Sequence, residues 1–254
     1  MPWDFALILI VLGVLVPWRG AVRIKKLLGR EHLSTADRLV LYASTIAFQW
    51  VAVAAVAWRC HVRGLNAQRL ALVYSDASLT IITAVTLSFF LGATQIFSLR
   101  RLARSPTHRQ KHLPHLAQLV MPHNMIEALA FVALVSTVAL CEEYLYRGFA
   151  FAAFQDAARG SLFLAAIGSS ALFALGHLYQ GRRGLRTTFI VGILFAAARI
   201  ATASLVPSIA AHFVTDLLAG LAGPRILRTP LAPPDTIPPR PSAADSQLDL
   251  SRRE

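Results

Sequence analysis

The sequence predicts an all-α fold, a polytopic transmembrane bundle of about seven to eight helices. Three observations carry that expectation. The chain of 254 residues is 56% hydrophobic and only 15% charged, whereas a soluble domain is nearer half apolar and a quarter charged. Its mean hydropathy is +0.55. Its apolar residues gather into long runs divided by short basic segments. A helix needs about 20 apolar residues to cross the hydrocarbon. Lipid offers the backbone no outside partner, so each run is expected to be helical. Alternating strands of the barrel type are absent.

The runs follow in order. Trp3–Trp18 is short and has a tryptophan at each end. It carries an acid and no base before its apolar stretch, which suits a retained first helix and not a cleaved signal peptide. Leu39–Trp58 and Ala77–Phe97 are plain apolar runs. Trp18 and Trp58 suit the aromatic belts at the membrane faces. Met125–Ala150, Ser161–Leu178, Thr187–Leu205 and Pro207–Leu221 complete the set. An eighth crossing near Leu113–Val120 stays open. Residues 1–120 are expected to be scaffold, 121–223 to hold the chemistry, and 224–254, rich in proline, to form a disordered tail.

The net charge of +12 would suggest nucleic acid in a soluble protein. Here no basic face is interleaved with aromatics, so no nucleic-acid partner is expected. The basic residues cluster in connectors such as RGAVRIKKLLGREHLSTADR, SLRRLARSPTHRQKHLPH and GRRGLR. The positive-inside rule puts such segments in the cytoplasm, with the N-terminus outside. The arginines of Arg59–Arg69 run against that assignment. Two cysteines, Cys60 and Cys141, give neither a disulfide framework nor a CxxC pair, and Cys141 reads as a small buried hydrophobe.

Ionisable residues inside apolar runs are costly and mark sites by default. They are Glu127, Glu142, Glu143, Arg147, His177, Arg199, His212 and Asp216. Glu127, near the start of its run, is expected at the interface. Glu143 and Arg147 stand four apart and can pair on one helix face, which on its own is an intrahelical salt bridge. Glu142 points about 100 degrees away and is left as the free carboxylate, the state a general base requires. His177 is either a satisfied core histidine or a ligand. Phe173, one turn earlier on the same face, is the candidate substrate contact. His212 and Asp216 are again four apart, as a polar clamp between helices or as part of a site. His108, His112 and His115 lie in a basic connector with Pro114 and are expected to be solvated; His32, His61 and His123 have no partner in sequence. HExxH, GxSxG and the phosphate-loop pattern are missing.

EEYLYR, FALGH and HFVTD fit EExxxR, FxxxH and HxxxN/D, in that order on successive helices. This resembles the CPBP family of intramembrane proteases, which includes type-two CAAX prenyl endopeptidases of the Rce1-like class and bacteriocin-processing or bacteriocin-immunity proteins. The resemblance covers about Met125 to Leu221. It implies that Glu142 is the general base, that Glu143 and Arg147 support it, and that His177 and His212 stabilise the oxyanion. Asp216 stands where the family often has asparagine; it would accept from His212. The family has been read both as metal-dependent and as metal-independent. A divalent metal such as zinc, if bound, would fall to Glu142, His177 and His212; otherwise no cofactor is implied.

The expected activity is hydrolysis of peptide bonds in membrane-associated peptides, prenylated CAAX tails among them, by glutamate-activated water. The expected location is the plasma membrane, with the bilayer and a peptide or protein substrate as partners. The alternatives are a non-proteolytic immunity or regulatory protein on the same scaffold, and a small proton-coupled transporter.

Overall fold

The computed structural model describes residues 1–104 and 112–227. Eight helices form it: α1 Trp3–Leu28, α2 Thr35–Val62, α3 Ala77–Arg104, α4 His112–Val120, α5 Met125–Ala157, α6 Leu162–Gly176, α7 Gly181–Thr202 and α8 Val206–Leu227. Among the described residues no strand forms; one isolated bridge joins Leu72 to Ser204. Six helices are long and apolar enough to cross a membrane. The expected helical bundle is therefore present, with two corrections to the count. The Ser161–Leu178 run is helical for only 15 residues, as α6. The region near Leu113–Val120 is a nine-residue helix, too short for an eighth crossing.

Local signals set the helix starts. Ser34 accepts from the Asp37 amide while the Asp37 carboxylate accepts from the Ser34 amide, a capping box that opens α2. The Asn124 side chain caps α5 through the Glu127 amide at 2.9 Å, and Ser161 caps α6 through Leu164. α8 continues through Leu227, so the first residues of the expected tail are helical; residues 228–254, and His108 of the connector, lie outside the described residues.

Large apolar side chains cover the outside. Trp18, Trp58, Phe89, Leu129 and Phe163 are all exposed, which is a cost in water and the expected arrangement in lipid. The inside holds an apolar cluster from α1, α2, α5 and α6, with Phe5 packed edge-on to Phe149 at 5.1 Å. The buried polar groups concentrate between α5, α6, α7 and α8.

Ion pairs and backbone bonds tie the connectors into two ends. At one, Arg59 and Arg63 both pair with Asp4, Arg69 pairs with Asp156, and the Leu205 amide donates to the Ala71 carbonyl. At the other, Arg38 pairs with Glu127 at 3.2 Å and Asn124 donates to Thr35. The Arg59–Arg69 cations that confuse the charge bias thus have acidic partners. Glu127 is not interfacial as expected: it is fully buried, held by Arg38 and by the His123 amide at 2.7 Å.

Candidate active site

The EEYLYR stretch lies where α5 changes geometry. α5 is α-helical through Glu142 and π-helical over Glu143–Ala150. Such wide turns are rare and recur at functional sites, because they re-aim side chains without ending the helix. Here the two glutamates face different neighbours. Glu142 points to α2, where Gln49 Nε2 donates to its Oε1 at 3.0 Å. Glu143 points to α8, where His212 Nδ1 lies 3.0 Å from its Oε1.

Glu143 and Arg147 are both 0% exposed, and Arg147 Nη1 donates to Glu143 Oε1 at 3.0 Å. The guanidinium also lies over the rings of Phe173 and Phe195, at 4.0 and 5.1 Å from their centroids. A close approach of α7 makes room for this. A Cβ on Gly192 would come within 3.0 Å of Ser170 Cβ and 3.2 Å of Arg147 Nη2. The pairing expected from the four-residue spacing is present, with both charges enclosed. The other Glu143 oxygen, Oε2, is buried without a hydrogen-bond partner.

Glu142 is half-buried. One oxygen is held by Gln49, and the other, Oε2, is buried with no partner among the described residues. A carboxylate oxygen in that position can accept a proton from a water placed beside it.

His212 is clasped from both sides. Its Nδ1 is committed to Glu143, its ring stacks on Phe195 at 5.7 Å, and its Nε2 lies 3.5 Å from Asp216 Oδ2. At that distance the second contact is weak, so Nε2 is the nitrogen left to serve a substrate. Asp216 is 37% exposed, which marks the open side of the cluster.

His177 sits just past the end of α6, and its Nδ1 lies 3.0 Å from the Phe173 carbonyl oxygen. A carbonyl only accepts, so Nδ1 carries the proton, and the Nε2 of a neutral ring is then an acceptor. An oxyanion-donating role for His177 therefore requires the doubly protonated ring. Phe173 is 3% exposed and contacts both histidines, with centroids at 4.8 Å from His177 and 5.8 Å from His212. Tyr146 closes on it edge-on at 5.3 Å.

Zinc needs at least three protein ligands converging on one point. Among the described residues no three His, Cys, Asp or Glu side chains come together in that way. Glu142, His177 and His212 do not make such a centre, and the metalloprotease reading is not supported.

Residues 124–218 match the family model described as type II CAAX prenyl endopeptidase, Rce1-like. The match opens on the cap residue of α5 and closes just beyond Asp216, so it takes in all three motifs. This segment is similar to the Rce1-like family. The Rce1-like family is a protease family, and with six membrane-length helices the chain is an integral membrane protein. No curated protein and no solved structure matches the chain.

Within the Rce1-like segment the structure joins Glu143, Arg147, His212 and Asp216 in one chain of contacts. Phe173 links that chain to His177. Glu142 stands on the neighbouring face of α5. Two contributors escaped the sequence reading. Phe195 stacks on His212 and faces Arg147; nothing in an apolar run distinguishes it. Gln49 comes from outside the Rce1-like segment and binds Glu142. Its signal was available, since an amide in the middle of IAFQWVAV is itself a misplaced polar group.

Proposed function

We propose that the chain is an intramembrane endopeptidase in which Glu142 activates water. The observation that carries this is the contrast between the two glutamates: Glu143 is fully buried and bound by Arg147 and His212, while Glu142 is only half-buried and has no cationic partner among the described residues. Arg147 lies ten residues from the end of α5, about 15 Å along the helix, so the cluster is near the middle of a 30 Å hydrocarbon layer.

In this reading Glu142 Oε2 takes a proton from a water. The hydroxide oxygen bonds to the peptide carbonyl carbon. His212 gives its Nδ1 proton to Glu143, so it is the doubly protonated ring that donates from Nε2 to the resulting oxyanion, a contact of a kind worth about 3 kcal/mol. The carbon–nitrogen bond then breaks, and Glu142 returns its proton to the leaving amine. Glu143 and Arg147 hold His212 in place. His177, through its Nε2 lone pair, accepts from the attacking water and positions it. Phe173, whose faces are occupied, serves as packing for Arg147 and the histidines in preference to a substrate contact.

The substrates are membrane-associated peptides, the CAAX type among them, and the compartment is the plasma membrane. The basic connectors at the end opposite Asp4 face the cytoplasm. The test is cleavage of a peptide library by purified protein and by Glu142→Gln. Cleavage that disappears in the variant supports the base. Cleavage that survives overturns it. A wild-type protein that cleaves nothing while holding a membrane peptide favours the regulatory alternative.

A further inference from the structure

Arg199 takes no part in the cluster above. It lies three residues before the end of α7, about 5 Å from the helix end and so at the membrane boundary. It is 7% exposed, yet no carboxylate pairs with it among the described residues. Its Nη2 donates to the Arg69 carbonyl at 2.8 Å, its guanidinium lies over the Phe151 ring at 3.8 Å, and its Nε is buried with no partner. Three more exposed arginines at this end each have an acid. Arg59 and Arg63 share Asp4, and Arg69 has Asp156. A buried guanidinium without a counter-charge is strongly disfavoured, and it calls for an anion.

The space for one is present. A cavity of about 330 Å³ opens beside Arg199, lined also by Arg69, Gln68 and Gln155. Its mouth is stiff: Ala71 and Ala203, both on its wall, have φ of 55° and 53°, and the Leu72–Ser204 bridge clamps them together. Leu162 and Ile200 complete the lining and are exposed on the lipid-facing side. A polar floor with an apolar rim at the membrane boundary matches a phosphate joined to an acyl-bearing glycerol. Guanidinium suits phosphate oxygens through its planar array of donors.

We propose that Arg199, with Arg69, Gln68 and Gln155, binds a phosphate oxyanion, and that its source is a phospholipid headgroup seated between the ends of α5, α6 and α7. This binding is independent of the peptidase reading, and its test needs no cleavage.

The experiment is thermal unfolding of the full chain in detergent, titrated with dihexanoyl-phosphatidylglycerol, with dihexanoylglycerol, which lacks the phosphate, or with inorganic phosphate. The expected result is a rise of several degrees in Tm with the phospholipid and none with dihexanoylglycerol. Arg199→Gln should shift the titration midpoint at least fivefold to higher concentration. Gln68→Trp changes an exposed residue and fills the cavity; it should do the same, and it decides the matter if Arg199→Gln does not fold. An equal rise from inorganic phosphate, lost in either variant, supports the oxyanion site and assigns its source to free phosphate. A phospholipid midpoint unchanged in a folded variant overturns the proposal, as does a wild-type chain that responds to neither phosphate compound.

Discussion

Glu143→Gln removes a charge that Arg147 and His212 share, and almost no volume. Arg147 is fully buried, and two of its nitrogens, Nε and Nη2, already lack partners, so the lost carboxylate is not replaced by another acceptor. Breaking one side of a buried ion pair costs about 3–5 kcal/mol. For a chain of this size that corresponds to a fall in Tm of order 10 °C. Glu142→Gln is the matched control. The glutamine oxygen still accepts from Gln49, and the other Glu142 oxygen has no partner to lose. Its Tm should stay within about 2 °C of the parent, while kcat falls by about 10²–10⁴, the contribution of a general base. The assay is thermal unfolding in detergent beside peptide cleavage on the same preparations. A Glu142→Gln protein that melts as early as Glu143→Gln, or a Glu143→Gln protein that melts with the parent, would refute the division of labour between the two glutamates.

Gln49→Leu should lower kcat about tenfold and Tm by several degrees, because it removes a hydrogen bond to a charged group worth about 1.5–3 kcal/mol; a cleavage assay beside a melting curve reads it. Gly220→Ala should destabilise by about 1–3 kcal/mol, since the added carbon would fall 2.0 Å from Phe131 Cε1, and that ring is buried and packed against Tyr42; a melting curve checks this. A chelator such as EDTA should leave cleavage within about twofold, in line with the lack of a three-ligand cluster among the described residues. Cleavage abolished by the chelator and restored by zinc would reverse that expectation.

The parts of the site that were legible in the sequence are those set by helical repeat. Glu143 with Arg147, and His212 with Asp216, are four apart and meet as that spacing dictates. The contacts that assemble them into one cluster join residues far apart in sequence. Glu143 reaches His212 across 69 residues and Gln49 reaches Glu142 across 93. No local pattern encodes those distances. The bundle itself was legible because lipid forces helices on apolar runs. The charge pattern misled where pairing is remote: Asp4 neutralises arginines that lie 55 and 59 residues further on. Likewise Glu127, at the start of its run, is drawn inward by Arg38 from α2.

The brevity of α6 has a consequence for the surrounding bilayer. Its 15 residues span about 22 Å, against about 30 Å of hydrocarbon. Lipids beside it would meet a hydrophobic mismatch of about 8 Å, of the kind that local thinning of a membrane relieves. His177 lies just past the truncated end of this helix. Such a depression would bring the headgroup layer, and the water it carries, down toward a histidine that a full-length helix would have kept at the far surface. In a solvent that excludes the second reactant of hydrolysis, a helix about a quarter too short is a route for delivering it.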